Sequence, residues 1–144
     1  MVTALSARLA EIVDSLPLRP GVRVLEIGSG PGAAAREIAR RIGDGHILAI
    51  DRSAKAIAQL SAASRELIAA GRLSARQVAI EDFELQPDEI RFDLALAVRV
   101  GALDGRHPKL EAAAKARIAA ALKPGGRLFV DGGNPLREVK LDGF

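Results

Sequence analysis

The chain has 144 residues, of which 49% are hydrophobic, and a formal net charge of +3 at pH 7; these values predict one folded domain over residues 1–144 and exclude a disordered chain. Because it lacks cysteine, the sequence excludes disulfides and any thiolate-bound metal or iron–sulfur site. No apolar run reaches the ~18 residues of a membrane span and no signal-peptide pattern is visible, so we expect a cytoplasmic protein with no metal and no membrane partner.

The basic residues are scattered at helical spacing and mixed with acidic ones, a pattern typical of solvated helix faces. Nucleic-acid-binding proteins commonly add aromatic side chains that stack on bases. The chain has no Trp or Tyr and only four Phe, so its composition does not favour a nucleic-acid partner.

An amphipathic helix is predicted over residues 3–16, where apolar positions repeat on one face. Pro17 and Pro20 end it, because proline lacks the N–H that a continuing helix needs. We expect this helix to cover one face of a sheet, with a lid over a ligand cleft as the alternative.

The next stretch is an apolar, β-branched run over residues 22–27, which predicts a strand buried on both faces. It ends at the turn Gly28-Ser29-Gly30-Pro31-Gly32, and a helix is predicted over about 32–42. Glycine is needed where φ is positive or where a ligand approaches the main chain, and a helix N-terminus favours an anion. The turn therefore predicts a ligand site, with a purely structural tight turn as the alternative.

The rest of the chain alternates strands with helices. Further strands are predicted over 46–50, 76–80, 92–98 and 127–131, and helices over 53–71 and 108–122. This alternation predicts a doubly wound α/β fold with a mostly parallel sheet, helices on both faces and right-handed crossovers.

Ligands of such folds lie outside the carboxyl ends of the strands. Four segments besides the glycine turn follow predicted strand ends: Asp51, Glu81-Asp82-Phe83, Arg99-Val100-Gly101 and Asp131-Gly132-Gly133-Asn134. A carboxylate at position 51 can accept both hydroxyls of a ribose in charge-assisted hydrogen bonds. The pattern predicts an adenosine-containing ligand, although an aspartate here could instead simply begin a helix.

Two families fit the glycine turn. Gly28-x-Gly30-x-x-Ala33 satisfies the dinucleotide fingerprint of NAD-binding domains. The whole string 24–33, with Glu26 two residues before Gly28, instead resembles motif I of the class I S-adenosylmethionine-dependent methyltransferases.

Downstream motifs separate the two families. Residues 49–53 resemble the second-strand motif of the methyltransferases, and residues 80–83 resemble their adenine segment. Leu122-Lys123-Pro124-Gly125-Gly126-Arg127-Leu128 resembles their L-x-P-G-G-x-L turn, which NAD-binding domains do not typically carry. Over residues 22–131 the chain is identified as a member of the methyltransferase family, with an NAD-binding domain as the alternative.

The resemblance implies S-adenosyl-L-methionine as cofactor, S-adenosyl-L-homocysteine as product and in-line methyl transfer as the reaction. It places the glycine turn under the methionine part, an acidic residue at the ribose, another at the adenine, and the residues after the fourth strand beside the methyl group. The implied cofactor-binding residues are Glu26, Gly28, Ser29, Gly30, Gly32, Asp51, Arg52, Glu81, Asp82, Phe83, Arg99 and Val100.

A general base is needed only if the acceptor nucleophile holds a proton of high pKa. His107 is one candidate, because an unperturbed imidazole titrates near 6.5, and Asp104 and Asp131 are others. Arg99 is a candidate for binding an anionic substrate, or it pairs with a nearby carboxylate. His46 opens a strand and is predicted to be structural.

Full members of this family have seven strands, the last two forming an antiparallel hairpin beyond the fifth. Only thirteen residues follow Asp131, which predicts one short strand or a packed tail in place of the hairpin. We expect the tail, or a second subunit in a homodimer, to cover the edge of the fifth strand. With no inserted cap subdomain visible, a small-molecule acceptor is expected, and a non-catalytic methyltransferase-like binding module is the alternative.

Overall fold

A computed structural model describes residues 4–144, which form six strands, five α-helices and one short 3-10 turn. The strands are β1 Arg23–Ile27, β2 His46–Asp51, β3 Leu73–Gln77, β4 Phe92–Ala97, β5 Leu122–Asp131 and β6 Leu136–Val139. The helices are α1 Ala7–Ser15, α2 Ala33–Arg41, α3 Ala54–Ala63, α4 Arg65–Ala69 and α5 Pro108–Ala121, and the 3-10 turn is Ile80–Asp82.

The six strands form one sheet in the order β3-β2-β1-β4-β5-β6. Strands β1 to β5 run parallel, and β6 alone pairs antiparallel, with β5. The strand order reverses between β1 and β4, which is where a doubly wound sheet opens a crevice at its carboxyl edge. The predicted fold class is confirmed.

The core lies in two layers, because successive side chains of a strand point to opposite faces of the sheet. In β1, Val24 packs into the layer that α1, α2 and Leu60 of α3 cover, whereas Leu25 and Ile27 pack into the layer under α5 and the 3-10 turn. Helices therefore lie on both faces, as predicted. None of the helices described is long and apolar enough to cross a membrane.

The first helix covers the sheet as expected. The predicted start at Thr3 lies outside the described residues; α1 begins at Ala7, after Ser6 accepts a hydrogen bond from the Leu9 N–H as N-cap. Its Ile12 and Val13 are buried against the sheet layer. Covering one face of the sheet is thus the role that its packing supports.

The position of the third strand was predicted wrongly. β3 begins at Leu73, which pairs with Ile47, and ends at Gln77, three residues before the predicted end. Gly71, at φ +76°, turns the chain out of α4 early enough for Leu73 to become the first buried residue of the strand. The polar remainder of β3 is tolerated because it is an edge strand, and Arg76 is ion-paired with Glu89 at 2.7 Å.

Two further boundaries differ from the predictions. The helix predicted over 53–71 breaks at Ser64, a buried residue whose hydroxyl accepts a hydrogen bond from Arg36, and it divides into α3 and α4. Strand β5 begins at Leu122, five residues before its predicted start, because Leu122 already pairs with Phe92. The next pair is Leu94 with Arg127, so the proline–glycine turn between Leu122 and Arg127 lies within a shift of the register.

The predicted cover over the fifth strand is present. The tail strand β6 pairs with β5 from Leu128↔Val139 to Asp131↔Leu136, and Arg127 bonds Glu138 across the pair at 2.8 Å. One short antiparallel strand thus lies beside β5, as expected. The tail occupies the edge of β5, so a second subunit is not needed to cover it.

Candidate functional site

A cleft of about 260 Å³ opens at the carboxyl edge of the sheet, where β1, β2 and β4 end. One wall is apolar and the rim is charged. Its lining includes Gly28, Asp51, Arg52, Glu81, Arg99, Val100 and His107 from the predicted site, and also Val78, Ala79, Ile80, Gly101, Arg106 and Leu110. The edge that the sequence predicted is therefore the edge that carries a cleft.

The glycine turn enters the cleft at Gly28, whereas Ser29, Gly30, Gly32 and the preceding Glu26 lie outside its lining. Gly28, Gly30 and Gly32 all have positive φ, at +70°, +55° and +93°. A Cβ at position 28 would lie 2.9 Å from Val100, and one at position 32 would lie 2.6 Å from Leu60. Nothing lies within 4 Å of a Cβ built on Gly30, so the backbone of the turn is open to a ligand there.

Asp51, at the end of β2, is tied to this turn. Its Oδ2 accepts a hydrogen bond from the Gly30 N–H at 2.9 Å, and its Oδ1 accepts one from the Ser53 N–H at 2.9 Å. Each carboxylate oxygen has a second lone pair, so each can accept one more hydrogen bond. Asp51 therefore both fixes the turn and keeps acceptors for a ligand in the cleft.

Glu26 lies buried beneath the turn, with 4% of its surface exposed. Its Oε1 has no hydrogen-bond partner within residues 4–144. Burial, followed by the nearby charge of Asp51, raises the pKa of Glu26 to about 8, and the charge of Arg36 opposes this rise. A buried acceptor without a partner calls for an explanation, and a ligand donor is one.

The loop after β4 is held in an unusual backbone conformation. Arg99 has φ +57°, the one positive value found for a non-glycine residue in the described chain. Its N–H donates to Asp131 Oδ1 at 3.0 Å, and its carbonyl oxygen accepts from the Arg106 guanidinium at 2.6 Å. Asp131 Oδ2 accepts in turn from Arg8 of α1 at 3.2 Å. Both oxygens of Asp131 are thus engaged in holding the loop.

His107 lines the cleft just before α5. Its backbone N–H donates to the Gly101 carbonyl at 3.0 Å. Its imidazole ring lies so close to Gly101 that a Cβ at position 101 would overlap the ring. The other histidine, His46, bonds the Gly71 carbonyl and the Ser74 hydroxyl, each at 2.7 Å, far along the sheet from the cleft. Its surroundings are those of a structural residue, whereas the ring of His107 stands at the cleft.

A family profile described as a methyltransferase domain matches residues 24–126, most of the chain. This match includes the glycine turn, Asp51 and the proline–glycine turn, so it decides between the two families. The chain belongs to the class I S-adenosylmethionine-dependent methyltransferase family.

The relatives agree with this assignment. Protein-L-isoaspartate O-methyltransferase of Methylorubrum extorquens is 34% identical over 127 residues, which cover 88% of this chain and 49% of that protein. The chain therefore spans about half the length of the curated relatives it matches.

Solved structures share the fold. A methyltransferase from Geobacter sulfurreducens, in complex with S-adenosyl-L-homocysteine, has a TM-score of 0.66 at 25% identity, over 90% of this chain and 49% of that chain. The cyclase SpnF has a TM-score of 0.68 at 31% identity, over 85% of this chain and 43% of that chain. The same fold thus occurs in a protein named for another reaction.

The structure separates the predicted adenine residues. Glu81 lines the cleft, whereas Asp82 is exposed outside it and Phe83 is 1% exposed in the core. The Phe83 N–H donates to the Ile80 carbonyl within the 3-10 turn. The geometry thus favours Glu81 over Asp82 as the acid at this position, and the roles of all three stay predictions.

Sequence reasoning missed several residues that line the cleft. Val78, Ala79 and Ile80 form part of its apolar wall, but the misplaced third strand had put them inside the sheet. A correct strand end at Gln77 would have marked them as residues of the carboxyl edge. Arg106 and Leu110 belong to no motif, since Arg106 enters the cleft from the loop before α5 and Leu110 from the first turn of α5.

Proposed function

We propose that the chain binds S-adenosyl-L-methionine in this cleft and transfers its methyl group to a small-molecule acceptor. The observation that carries the proposal is the glycine turn, which is open at Gly30 and tied by hydrogen bonds to Asp51 at the edge of the cleft. A relative of the same fold is solved with S-adenosyl-L-homocysteine, which supports this choice of ligand.

The residues present fit the cofactor. The partnerless carboxyl oxygen of Glu26 suits an ammonium group, and the open backbone at Gly30 leaves room beside it. Asp51 retains lone pairs for ribose hydroxyls, and Glu81 borders the apolar wall where an adenine ring would lie. Glu26 and the turn at Gly30 would hold the methionine part, Asp51 the ribose and Glu81 the adenine.

The chemistry asks little of the protein beyond alignment. When bound, the cofactor would supply a methyl group on a sulfonium sulfur: a lone pair of the acceptor would form the new bond to the methyl carbon, and the electrons of the broken C–S bond would stay on the sulfur. Holding both reactants in line can account for about 7–11 kcal/mol of the barrier. Val100, packed on Gly28, fixes the floor of the cleft, and His107 stands at its rim to take a proton from an acceptor that carries one.

Calorimetric titration tests this proposal. S-adenosylmethionine, S-adenosylhomocysteine and NAD are titrated into the wild type, into Asp51→Ala and into Asp142→Ala, an exposed control near the C-terminus. We expect micromolar binding of both adenosyl ligands to the wild type and the control, a large loss in Asp51→Ala and no binding of NAD. Binding of NAD alone, or of none of the three, would overturn the proposal.

A second function is favoured by one observation, the likeness to a cyclase at 31% identity. The chain would then bind the cofactor as a module without transferring its methyl group. Titration cannot distinguish the two functions, but turnover can. Formation of S-adenosylhomocysteine with any member of a panel of small acceptors supports methyl transfer, and binding without turnover across the panel supports the module.

A further inference from the structure

The cleft carries more positive charge than the cofactor site needs. Its lining includes Arg52, Arg99 and Arg106, against the carboxylates of Asp51 and Glu81. Arg106 is committed to the fold, because its guanidinium pairs with Asp104 at 2.8 Å and donates to the Arg99 carbonyl. Two arginine side chains are left in the cleft, and they differ in place: Arg52 follows β2, and Arg99 follows β4.

The guanidinium of Arg99 makes no hydrogen bond or ion pair within residues 4–144, although the backbone N–H and carbonyl groups of the same residue are both hydrogen-bonded. The N–H is fixed by Asp131 and the carbonyl oxygen by Arg106, which keeps the residue at φ +57°. Strained backbone of this kind persists where the surroundings enforce it, often at functional sites. Here the bonds hold the backbone from which an exposed, unpartnered guanidinium extends.

We propose that Arg99 binds an anionic group of the methyl acceptor, a carboxylate or a phosphate, and so selects anionic acceptors. This inference rests on the proposed function, because it assigns the other half of the same cleft. The planar guanidinium matches both groups with paired hydrogen bonds. Arg99 adjoins Val100, which packs on Gly28, so the anion would lie next to the glycine turn.

The carboxylate of the cofactor itself is the competing anion, and it has another place to bind. Helix α2 begins at Ala33, directly after the glycine turn, and its N-cap residue Gly32 has no side chain that could cap it. The N–H groups of its first turn, at Ala33, Ala34 and Ala35, have no acceptor in the described chain, and a helix N-terminus favours a carboxylate. The guanidinium of Arg99 is thus left for the acceptor.

The test uses simple anions as probes. Inorganic phosphate and succinate are titrated into the wild type, Arg99→Gln and Arg99→Lys, each with and without saturating S-adenosylhomocysteine. Arg65→Gln, at an exposed position on α4, is the control. We expect the wild type and the control to bind at least one anion, with affinity about tenfold lower in Arg99→Gln and intermediate in Arg99→Lys. The preferred probe distinguishes a phosphate acceptor from a carboxylate acceptor.

Two results would overturn the inference. One is anion binding that is absent in the wild type or unchanged in Arg99→Gln. The other is weaker binding of S-adenosylhomocysteine in Arg99→Gln with unchanged binding of 5′-methylthioadenosine, which lacks the amino acid tail, since Arg99 would then hold the cofactor. If the wild type fails to bind S-adenosylhomocysteine, the proposed function is overturned instead. The anion titrations made without S-adenosylhomocysteine still test the role of Arg99.

Discussion

Asp51 Oδ2 accepts a hydrogen bond from the Gly30 N–H at 2.9 Å, which joins the end of β2 to the turn after β1 across the sheet. The other oxygen accepts from the Ser53 N–H at the start of α3. One carboxylate therefore organises two of the segments that line the cleft. Its roles in folding and in binding can be separated by substitution.

We expect Asp51→Ala to lower the free energy of unfolding by roughly 2–3 kcal/mol, because two N–H groups lose a charged acceptor. Asp51→Asn keeps one oxygen acceptor and should lose less stability, while its binding of S-adenosylhomocysteine falls sharply because one of the two acceptors becomes a donor. Urea denaturation and calorimetry of the two variants measure the two effects. Equal loss of stability in both variants would contradict this division of roles.

Gly32 and Gly30 form a matched pair of positions in the same turn. At Gly32, with φ +93°, a Cβ would lie 2.6 Å from Leu60 in the core, so Gly32→Ala should cost about 2–4 kcal/mol through backbone strain and overpacking. At Gly30 the space is open, so Gly30→Ala should cost only about 1–2 kcal/mol of strain. Its methyl group nevertheless enters the space proposed for the ligand, so its binding of S-adenosylhomocysteine should fall.

Thermal unfolding and calorimetry on both variants check this contrast. A Gly30→Ala variant that binds as well as the wild type would place the ligand elsewhere. Equal destabilisation of the two variants would contradict the packing of Leu60 against Gly32.

The burial of Glu26 predicts a pH dependence of stability. Its pKa is raised from 4.5 to about 8 in the folded chain, so between these values the unfolded chain releases a proton that the folded chain keeps. This contribution to stability is full below pH 4.5 and is lost as the pH rises through about 8, by about 1.4 kcal/mol per pH unit at most. Glu26→Gln cannot ionise and lacks this loss.

Urea denaturation of Glu26→Gln and the wild type from pH 5 to 9 measures the difference. We expect the variant to gain on the wild type as the pH rises to about 8, and the gain to level off above it. Glu11→Gln, at an exposed position on α1, is the control and should track the wild type. A difference between Glu26→Gln and the wild type that does not change with pH would mean that Glu26 is already ionised in the folded chain.

The sequence predicted those parts of the fold whose signals are local. The run before Gly28, the glycine turn and Asp51 lie where the apolar pattern placed them, since a buried central strand must be apolar on both faces. Strand β3 was misplaced because Ser74, Ala75 and Arg76 show no alternation, and its register is set by the pairing of Leu73 with Ile47. Pairing between segments 26 residues apart leaves no mark in a local window.

The candidate site divides in the same way. Its glycines and Asp51 belong to motifs and could be recognised from their spacing. The conformation of Arg99 could not, because it depends on bonds from Asp131 and Arg106, one of them 32 residues away. The missing partner of Glu26 is equally invisible in sequence, since an unmade hydrogen bond is a property of the packed structure.

The contact between Gly101 and His107 gives a final prediction. A Cβ at position 101 would overlap the His107 ring, so Gly101→Ala should turn the imidazole away and cost about 1–3 kcal/mol. In a His107→Ala background the overlap disappears and the same substitution should be nearly free, a coupling that a double-mutant cycle measures by denaturation. Gly105→Ala is the control, because nothing lies within 4 Å of its Cβ and its cost is backbone strain alone, at φ +89°. If the cost of Gly101→Ala is the same with and without His107, the ring does not rest on Gly101, and its place at the rim of the cleft must be abandoned.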